Sequence, residues 1–247
     1  MFLQYEEGLE SEARALARKL QIECYPASYK NDEETLFLVL EGKGLSLRQG
    51  NLSMMGDFEE MIPRLKQSNL EHEMLVKAAR IKGEDPRSLQ ILDATEGMGE
   101  DSLILSAAGF NVLMYEYDAI IAELLIDTIK RAMNEDALKE IVSRMEAHSG
   151  DSIKVMSTAS EADKKVDIIL LDPMFPERKK SGLIKKKFQL LQQLECPCSN
   201  EEELFAAAKA ANPRKIIVKR PAKGPFLAGA KPSYSVPGKA IRYDCYI

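Results

Sequence analysis

The fold is decided by the stretch Leu89-Gln-Ile-Leu-Asp93-Ala-Thr-Glu-Gly-Met-Gly99-Glu-Asp101. Its first residues are mostly apolar and predict a buried strand, its two glycines predict a tight turn, and the segment from 101 to 108 predicts a helix. A strand, a glycine turn and a helix in this order form the first half of a βαβ unit. The stretch therefore predicts an α/β fold with parallel strands.

The same order of elements recurs along the rest of the chain. Val166 to Leu171 and Lys215 to Lys219 are nearly all apolar, which is typical of strands covered on both faces. Right-handed crossovers between such strands give a mostly parallel sheet with helices on both faces. The other predicted strands are 112–115, a short one ending near 147–151, 234–236 and 240–246, and the predicted helices are 70–81, 119–133, 136–146 and 204–211.

Residues 1–65 are predicted to form a small N-terminal α+β domain, and residues 66–247 the larger α/β domain. Glu10 to Gln21 carries apolar residues at helical spacing. The apolar runs Thr35 to Leu40 and Leu45 to Arg48 are joined by a short turn with two glycines, which predicts a hairpin. The segment around Pro63 is the predicted joint between the two domains.

Composition excludes several classes of protein. The chain of 247 residues has no apolar run near the roughly 18 residues of a membrane span, and its N-terminus lacks the basic and apolar parts of a signal peptide. We therefore expect a cytoplasmic protein without a membrane partner. The four cysteines are scattered, and His72 and His148 lack zinc-site spacing, so no metal site is expected.

The net charge of −5 hides a strong division. Residues 1–177 hold 19 basic and 34 acidic side chains, whereas residues 178–247 hold 15 basic and 5 acidic ones. A basic C-terminal third on an acidic body suggests a face that meets a polyanion such as RNA. A solvated basic surface without a ligand remains the alternative.

The glycine turn should lie at the edge of the sheet where ligands bind, outside the carboxyl ends of the strands. Four carboxylates surround the turn, and they would repel a pyrophosphate. They suit a positively charged ligand without phosphate, such as S-adenosylmethionine, although acidic residues also favour a helix start without any ligand. The cofactor candidates in this turn are Asp93, Gly97, Gly99, Glu100 and Asp101.

Two further clusters follow the next strands. Glu116 ends the second strand of the α/β domain, where an acidic residue can accept hydrogen bonds from both hydroxyls of a ribose. Asp151 and Ser152 follow the third strand and could bind the adenine amino group, or they could form only a local turn.

The most specific motif, Asp172-Pro-Met-Phe-Pro176, follows the fourth strand. The Asp172 carboxylate and the Pro173 carbonyl could accept the two N–H bonds of an exocyclic amine on a nucleobase, which would aim its lone pair at a methyl donor. Phe175 would stack on the base. The motif thus predicts an amine-binding turn.

A basic run comes directly after this turn, and further basic residues follow the fifth strand. Beside a base-binding turn, such a run favours a clamp for RNA phosphates. The predicted RNA contacts are Arg178, Lys179, Lys180, Lys185, Lys186, Lys187, Lys219 and Arg220.

Together these motifs resemble the RsmJ-type methyltransferases of small-subunit ribosomal RNA. The resemblance rests on residues 93–101, Glu116, residues 172–176 with the lysine-rich stretch, Val-Lys-Arg-Pro at 218–221 and Arg-Tyr-Asp at 242–244. It implies a Rossmann-like methyltransferase sheet and methylation of the N2 amine of a guanine in 16S ribosomal RNA. It also implies that S-adenosylmethionine is bound by Glu100, Asp101, Glu116, Tyr117, Asp151, Ser152 and Asp172.

Three other functions remain open from the sequence. A nicotinamide-dependent oxidoreductase would bind NAD, although Ser102 stands where its fingerprint has a third glycine. A non-catalytic RNA-binding module would use only the basic C-terminal third. A methyltransferase acting on adenine N6 or on a protein amide would use a similar turn of an acid, a proline and an aromatic residue.

Overall fold

The structure, a computed structural model, describes residues 1–158, 166–173, 186–194 and 200–247. These residues form two sheets with helices packed against them. The strands, in chain order, are β1 (Phe2–Tyr5), β2 (Glu23–Pro26), β3 (Phe37–Glu41), β4 (Gly44–Gln49), β5 (Leu52–Met54), β6 (Gln90–Asp93), β7 (Asn111–Glu116), β8 (Met145–Ser149), β9 (Ile168–Leu171), β10 (Lys215–Pro221), β11 (Tyr234–Pro237) and β12 (Ile241–Tyr246).

Helices connect most of these strands, together with short 3-10 turns. In the described ranges, none of the helices is long and apolar enough to cross a membrane. The helices are α1 (Glu10–Leu20), α2 (Gln67–Leu70), α3 (Met74–Ala79), α4 (Glu100–Ala107), α5 (Ala119–Ala132), α6 (Lys139–Val142), α7 (Ser152–Thr158), α8 (Lys186–Leu191) and α9 (Glu201–Ala210).

The larger sheet has the strand order β11-β12-β10-β9-β6-β7-β8. The five strands from β10 to β8 are parallel, and β12 runs antiparallel to both β10 and β11. Alternate residues of one strand face opposite sides: Ile168 and Leu170 pack with helices α3, α4 and α6, while Ile169 and Leu171 pack with α7 and α9. The predicted Rossmann-like sheet, mostly parallel and covered on both faces, is confirmed.

The strand register brings the ends of the parallel strands to one level. Val218 is opposite Leu171, Asp93 is opposite both Leu170 and Met114, and Glu116 is opposite Ser149. Beyond these pairs, the chain continues from Val218 to Lys219, from Leu171 to Asp172 and from Asp93 to Thr95. These three residues therefore lie in one row across the sheet with Glu116 and Ser149. This row forms the floor of the crevice where the sequence predicts a ligand.

The N-terminal residues form the second sheet, with the order β2-β1-β3-β4-β5. The predicted hairpin is present as β3 and β4, whereas the short strands β1, β2 and β5 were not predicted. One face of this sheet shares an apolar cluster with α5 and α8, for example through Leu38, Leu47, Leu124 and Leu190. The division of the chain at residue 65 stays a prediction.

Two predicted helices are shorter in the structure. The segment from 70 to 81 contains only the end of α2 and then α3, because Glu73 between them has an extended backbone, with ψ of 126°. The Glu73 carboxylate accepts hydrogen bonds from Nε and Nη2 of the Arg64 guanidinium, at 2.5 and 2.9 Å. The predicted helix from 136 to 146 is limited to α6, since β8 already begins at Met145.

Candidate active site

The glycine turn between β6 and α4 is shaped by two left-handed residues, Gly97 with φ of 62° and Gly99 with φ of 82°. A Cβ atom at Gly99 would lie 2.6 Å from Leu125 Cδ1 and 3.1 Å from Phe58 Cζ, so this glycine is needed for packing. A Cβ atom at Gly97 would meet nothing within 4 Å among the described residues. The backbone at Gly97 therefore borders open space that a ligand could fill.

A pair of buried carboxyl groups supports the turn from below. Asp93 and Glu96 are 3% and 9% exposed, and the Ser102 hydroxyl lies 3.0 Å from Asp93 Oδ2 and 2.7 Å from Glu96 Oε2. Burial raises the pKa of both carboxyl groups, and the charge of Asp93 raises the pKa of Glu96 further. The pair therefore retains a proton where free carboxyl groups are ionised, and Asp93 supports the turn rather than facing the crevice.

Glu116 joins the end of β7 to the glycine turn. Its carboxylate accepts the Gly97 N–H at 2.8 Å and the Asp118 N–H at 2.8 Å. Burial raises the pKa of Glu116 although these backbone donors favour its charged form. The two N–H bonds fix the orientation of this carboxylate beside the open space at Gly97, as a ribose-binding role requires.

The other predicted cofactor residues border the crevice in different ways. Glu100 is exposed at the start of α4, and Tyr117 is 73% exposed. Asp151 accepts the Ile153 N–H at 3.0 Å and thus caps the start of α7, where Ser152 is buried. The local turn that the sequence allowed at Asp151 is thus present, with Oδ1 capping the helix and Lys154 Nζ lying 3.6 Å from Oδ2.

Asp172 lies directly after β9 and is joined to the glycine turn through Thr95. The Asp172 N–H donates to Thr95 Oγ1 at 2.5 Å, and the Thr95 N–H donates to Asp93 Oδ1 at 3.2 Å. Pro173 is buried, whereas the Asp172 side chain is 39% exposed. The predicted stacking residue Phe175 lies outside the described residues. Thr95 was not predicted, because only the register between β6 and β9 brings it beside Asp172.

Lys219 on β10 connects the two sides of the crevice. Its ammonium group lies 2.7 Å from Asp101 Oδ2 on α4 and 2.9 Å from Asp172 Oδ2. Burial alone would lower the pKa of Lys219, but the charges of Asp101 and Asp172 outweigh burial and raise this pKa. Lys219 was predicted only as an RNA contact, and the structure places it between two carboxylates.

Tyr243 on β12 is the neighbour of Lys219 across the sheet and is 3% exposed. Burial raises the pKa of its hydroxyl, and the charge of Asp101 raises it further. The tyrosine therefore adds a neutral, buried wall to this side of the crevice.

Two arginines of the basic C-terminal third have buried side chains. Arg220 is 1% exposed, and its guanidinium donates to the Pro225 carbonyl at 2.9 Å and to Glu201 at 3.2 Å. Arg242 pairs with buried Asp244 at 2.9 Å. A side chain buried like Arg220 cannot reach a phosphate without losing these bonds, so the predicted RNA contact of Arg220 is corrected to a structural role.

The remaining predicted RNA contacts lie between residues 178 and 187, and the structure describes only 186 and 187 of this stretch. Arg178, Lys179, Lys180 and Lys185 lie outside the described residues. Lys186 and Lys187 begin α8, whose Leu190 and Leu191 pack on the N-terminal sheet. The backbone of α8 therefore places these two lysines beside that sheet.

The crevice suits S-adenosylmethionine on three grounds. There is open space at Gly97, where the backbone can approach a ligand. The carboxylates of Glu116 and Asp172 lie in one row and favour the positive charges of the sulfonium and ammonium groups. Glu100 at the start of α4 and Tyr117, directly after β7, are both exposed. These residues would hold the cofactor.

Known proteins are similar to this chain over most of its length. Residues 16–247 match the family described as "Putative SAM-dependent methyltransferase". The chain is 34% identical over 247 residues to the ribosomal RNA small subunit methyltransferase J of Thioalkalivibrio sulfidiphilus, covering 98% of this chain and 94% of that protein. It is 32% identical over 245 residues to the protein of the same name from Alkalilimnicola ehrlichii, covering 95% and 90%.

A solved structure shows the same fold. A SAM-dependent methyltransferase from Neisseria gonorrhoeae superposes with a TM-score of 0.77 at 25% sequence identity, covering 100% of this chain and 96% of that one. The similarity therefore includes the N-terminal sheet as well as the larger one.

Proposed function

The chain belongs to the SAM-dependent methyltransferase family that includes ribosomal RNA small subunit methyltransferase J, and from this premise we propose that it methylates the N2 amine of a guanine in 16S ribosomal RNA. Family membership excludes the nicotinamide-dependent oxidoreductase and the non-catalytic RNA-binding module. A methyltransferase acting on adenine N6 or a protein amide is the remaining alternative, and the names of the relatives favour RNA.

The observation that carries the proposal is the position of Asp172. Asp172 follows β9, its carboxylate is partly exposed, and its backbone N–H donates to the Thr95 hydroxyl of the glycine turn. A methyl acceptor and a methyl donor must be held in contact for direct transfer. Asp172 is the carboxylate that borders the space on the acceptor side of this turn.

The chemistry required of the protein is orientation of a weak nucleophile. The lone pair of an exocyclic guanine amine is delocalised into the ring, and a carboxylate that accepts an amine N–H helps to localise it. Bound S-adenosylmethionine supplies the methyl group on a positively charged sulfur. When the nitrogen forms its new bond to carbon, the carbon–sulfur bond breaks, and the amine loses one proton to Asp172 or to water.

Substrate binding would use the basic C-terminal third, with Phe175 stacked on the extruded base and the lysine-rich run on the phosphates. The N-terminal sheet lies beside α8, and Gln49 and Gln193 join the two through a side-chain hydrogen bond of 2.8 Å. This contact supports a role for the sheet in placing the basic run on the RNA. A cytoplasmic location, where small ribosomal subunits are found, is part of this proposal.

The proposal is tested by incubating the enzyme with radiolabelled S-adenosylmethionine and three acceptors in parallel. The acceptors are small ribosomal subunits lacking the modification, naked 16S ribosomal RNA, and ribosomal proteins. We expect label in the 16S RNA of at least one of the first two acceptors. Label that enters protein and never RNA would overturn the proposal.

A further inference from the structure

The strongest unassigned feature of the crevice is the cation that its two sides share. Asp101 belongs to the helix that follows the glycine turn, and Asp172 belongs to the amine-binding turn. Lys219 is within 2.7 and 2.9 Å of these two carboxylates. The side chains of Asp101, Asp172 and Lys219 are 21%, 39% and 24% exposed, so water screens these charges only partly.

This geometry does not suit a phosphate contact. A lysine that turned outward to RNA would leave two like-charged carboxylates facing each other across the crevice, which is costly at partial burial. Tyr243, paired with Lys219 across β10 and β12, packs at the same level and is itself buried. Lys219 is therefore directed into the crevice between Asp101 and Asp172.

We infer that Lys219 is a positioning residue for methyl transfer, whose ammonium group orients the Asp172 carboxylate, keeps it ionised as an acceptor for the amine, and couples it to Asp101 beside the cofactor. This inference rests on the proposed function. It assigns Lys219 a role that no motif of the sequence indicated. An ionised carboxylate is the stronger acceptor for an N–H bond, and the contact with Lys219 fixes the position of Asp172 Oδ2.

The charged and titratable groups around Lys219 come from several elements. Asp101 faces it from α4, Asp172 from the end of β9 and Tyr243 from β12, while Arg64 acts electrostatically on Asp101 and Tyr243 from the segment before α2. Arg64 is already paired with Glu73. A Lys219 variant therefore removes the ammonium group that lies 2.9 Å from Asp172 Oδ2.

The test compares Lys219→Met with Lys82→Met, a control at an exposed lysine outside the basic C-terminal third. For Lys219→Met we expect kcat to fall about 100-fold, with KM for RNA changed less than about threefold, because the loss affects orientation rather than binding. The acid limb of its pH profile should move to higher pH, since Asp172 loses the cation that favours its charged form. Lys82→Met should resemble the unmodified enzyme.

Two further variants keep the test decisive if Lys219→Met folds poorly. Lys219→Arg keeps the charge and should recover kcat to within about tenfold of the original. The double variant Asp101→Asn with Lys219→Met removes the unbalanced carboxylate and should bind S-adenosylhomocysteine in calorimetry while kcat stays low. Cofactor binding by each variant shows that the fold is intact.

The inference is overturned if Lys219→Met keeps kcat and its pH profile but raises KM for RNA and lowers the salt dependence of RNA binding by about one charge, as a phosphate contact would. It is also overturned if Lys219→Arg shows no recovery. Failure of the unmodified enzyme to methylate RNA would instead reject the proposed function, so the two failures are distinguishable.

Discussion

The crevice contains two pairs of carboxyl groups that balance their negative charge in opposite ways. Asp93 and Glu96 lie beneath the glycine turn, are almost fully buried, and retain a proton beside the Ser102 hydroxyl. Asp101 and Asp172 lie at the opening and share the Lys219 ammonium group. The negative charge of the buried pair is thus reduced by a proton, and that of the open pair by a lysine.

This difference assigns the buried pair to structural support of the turn and the open pair to the methyl-transfer reaction. A protonated pair makes internal hydrogen bonds and carries little charge, which suits the support of a turn that must hold its shape. A pair neutralised by a neighbouring cation stays ionised and can accept a substrate N–H. The account therefore predicts that substitutions in the open pair affect the rate of methyl transfer, whereas substitutions around the buried pair affect stability.

The largest effect is expected at the open pair. Asp172→Asn keeps the size of the side chain but removes its charge, and we expect kcat to fall about 1,000-fold while affinity for S-adenosylhomocysteine changes less than about threefold. Single-turnover rates and calorimetry measure these two quantities. Asp136→Asn, at an exposed position away from the crevice, is the control. A rate within a few fold of the original would remove Asp172 from the reaction.

The second-largest effect is expected in the glycine turn, where alanine substitutions at Gly99 and at Gly97 should have different consequences. Gly99→Ala should lower the free energy of unfolding by about 3 kcal/mol, because the new methyl group meets Leu125 Cδ1 at 2.6 Å and φ is 82°. Gly97→Ala should lower the free energy of unfolding by only about 1 kcal/mol. It should instead weaken cofactor binding, since its methyl group points into open space. Denaturant unfolding and calorimetry check both. Equal stability losses would contradict the assignment of open space to a ligand.

A smaller effect is expected where the turn meets β7. Glu116→Ala removes the acceptor of the Gly97 and Asp118 N–H groups together with the predicted ribose contact. We expect affinity for S-adenosylhomocysteine to fall about 10- to 100-fold, the range for hydrogen bonds to a charged group. Glu135→Ala, at an exposed position three residues after α5, should leave affinity unchanged. Unchanged affinity in Glu116→Ala would exclude this residue from the site.

The smallest expected effect concerns the buried pair, Asp93 and Glu96, and is a change in the pH dependence of stability. Because the folded protein holds the pKa of Asp93 and Glu96 above the unfolded values, the folded state binds a proton that the unfolded chain releases. Their contribution to stability is present below the unfolded pKa and is lost as pH rises through the folded pKa.

Glu96→Gln should therefore reduce the loss of stability that occurs as pH rises above the range in which free carboxyl groups ionise. Thermal unfolding across this range, with Glu135→Gln as the control, measures the difference. An unchanged pH dependence would show that the pair is not protonated in the folded state.

The sequence predicted the parts that depend on local pattern. The apolar runs gave β6, β7, β9 and β10, and the residues after them gave Glu116 and Asp172. It did not give the contacts set by register between distant segments, such as Thr95 with Asp172 or Lys219 with Asp101. Arg220 was assigned to RNA because a local basic composition does not indicate burial, which depends on Glu201 and the Pro225 carbonyl.

The central claim is that the turn after β9 presents a guanine amine to the methyl donor. It is tested most directly by treating unmodified small subunits with the enzyme and S-adenosylmethionine, digesting the 16S RNA to nucleosides and identifying the product by mass spectrometry. The account predicts N2-methylguanosine, absent when Asp172→Asn replaces the enzyme. N6-methyladenosine, or a methyl group found only on ribosomal protein, would contradict it.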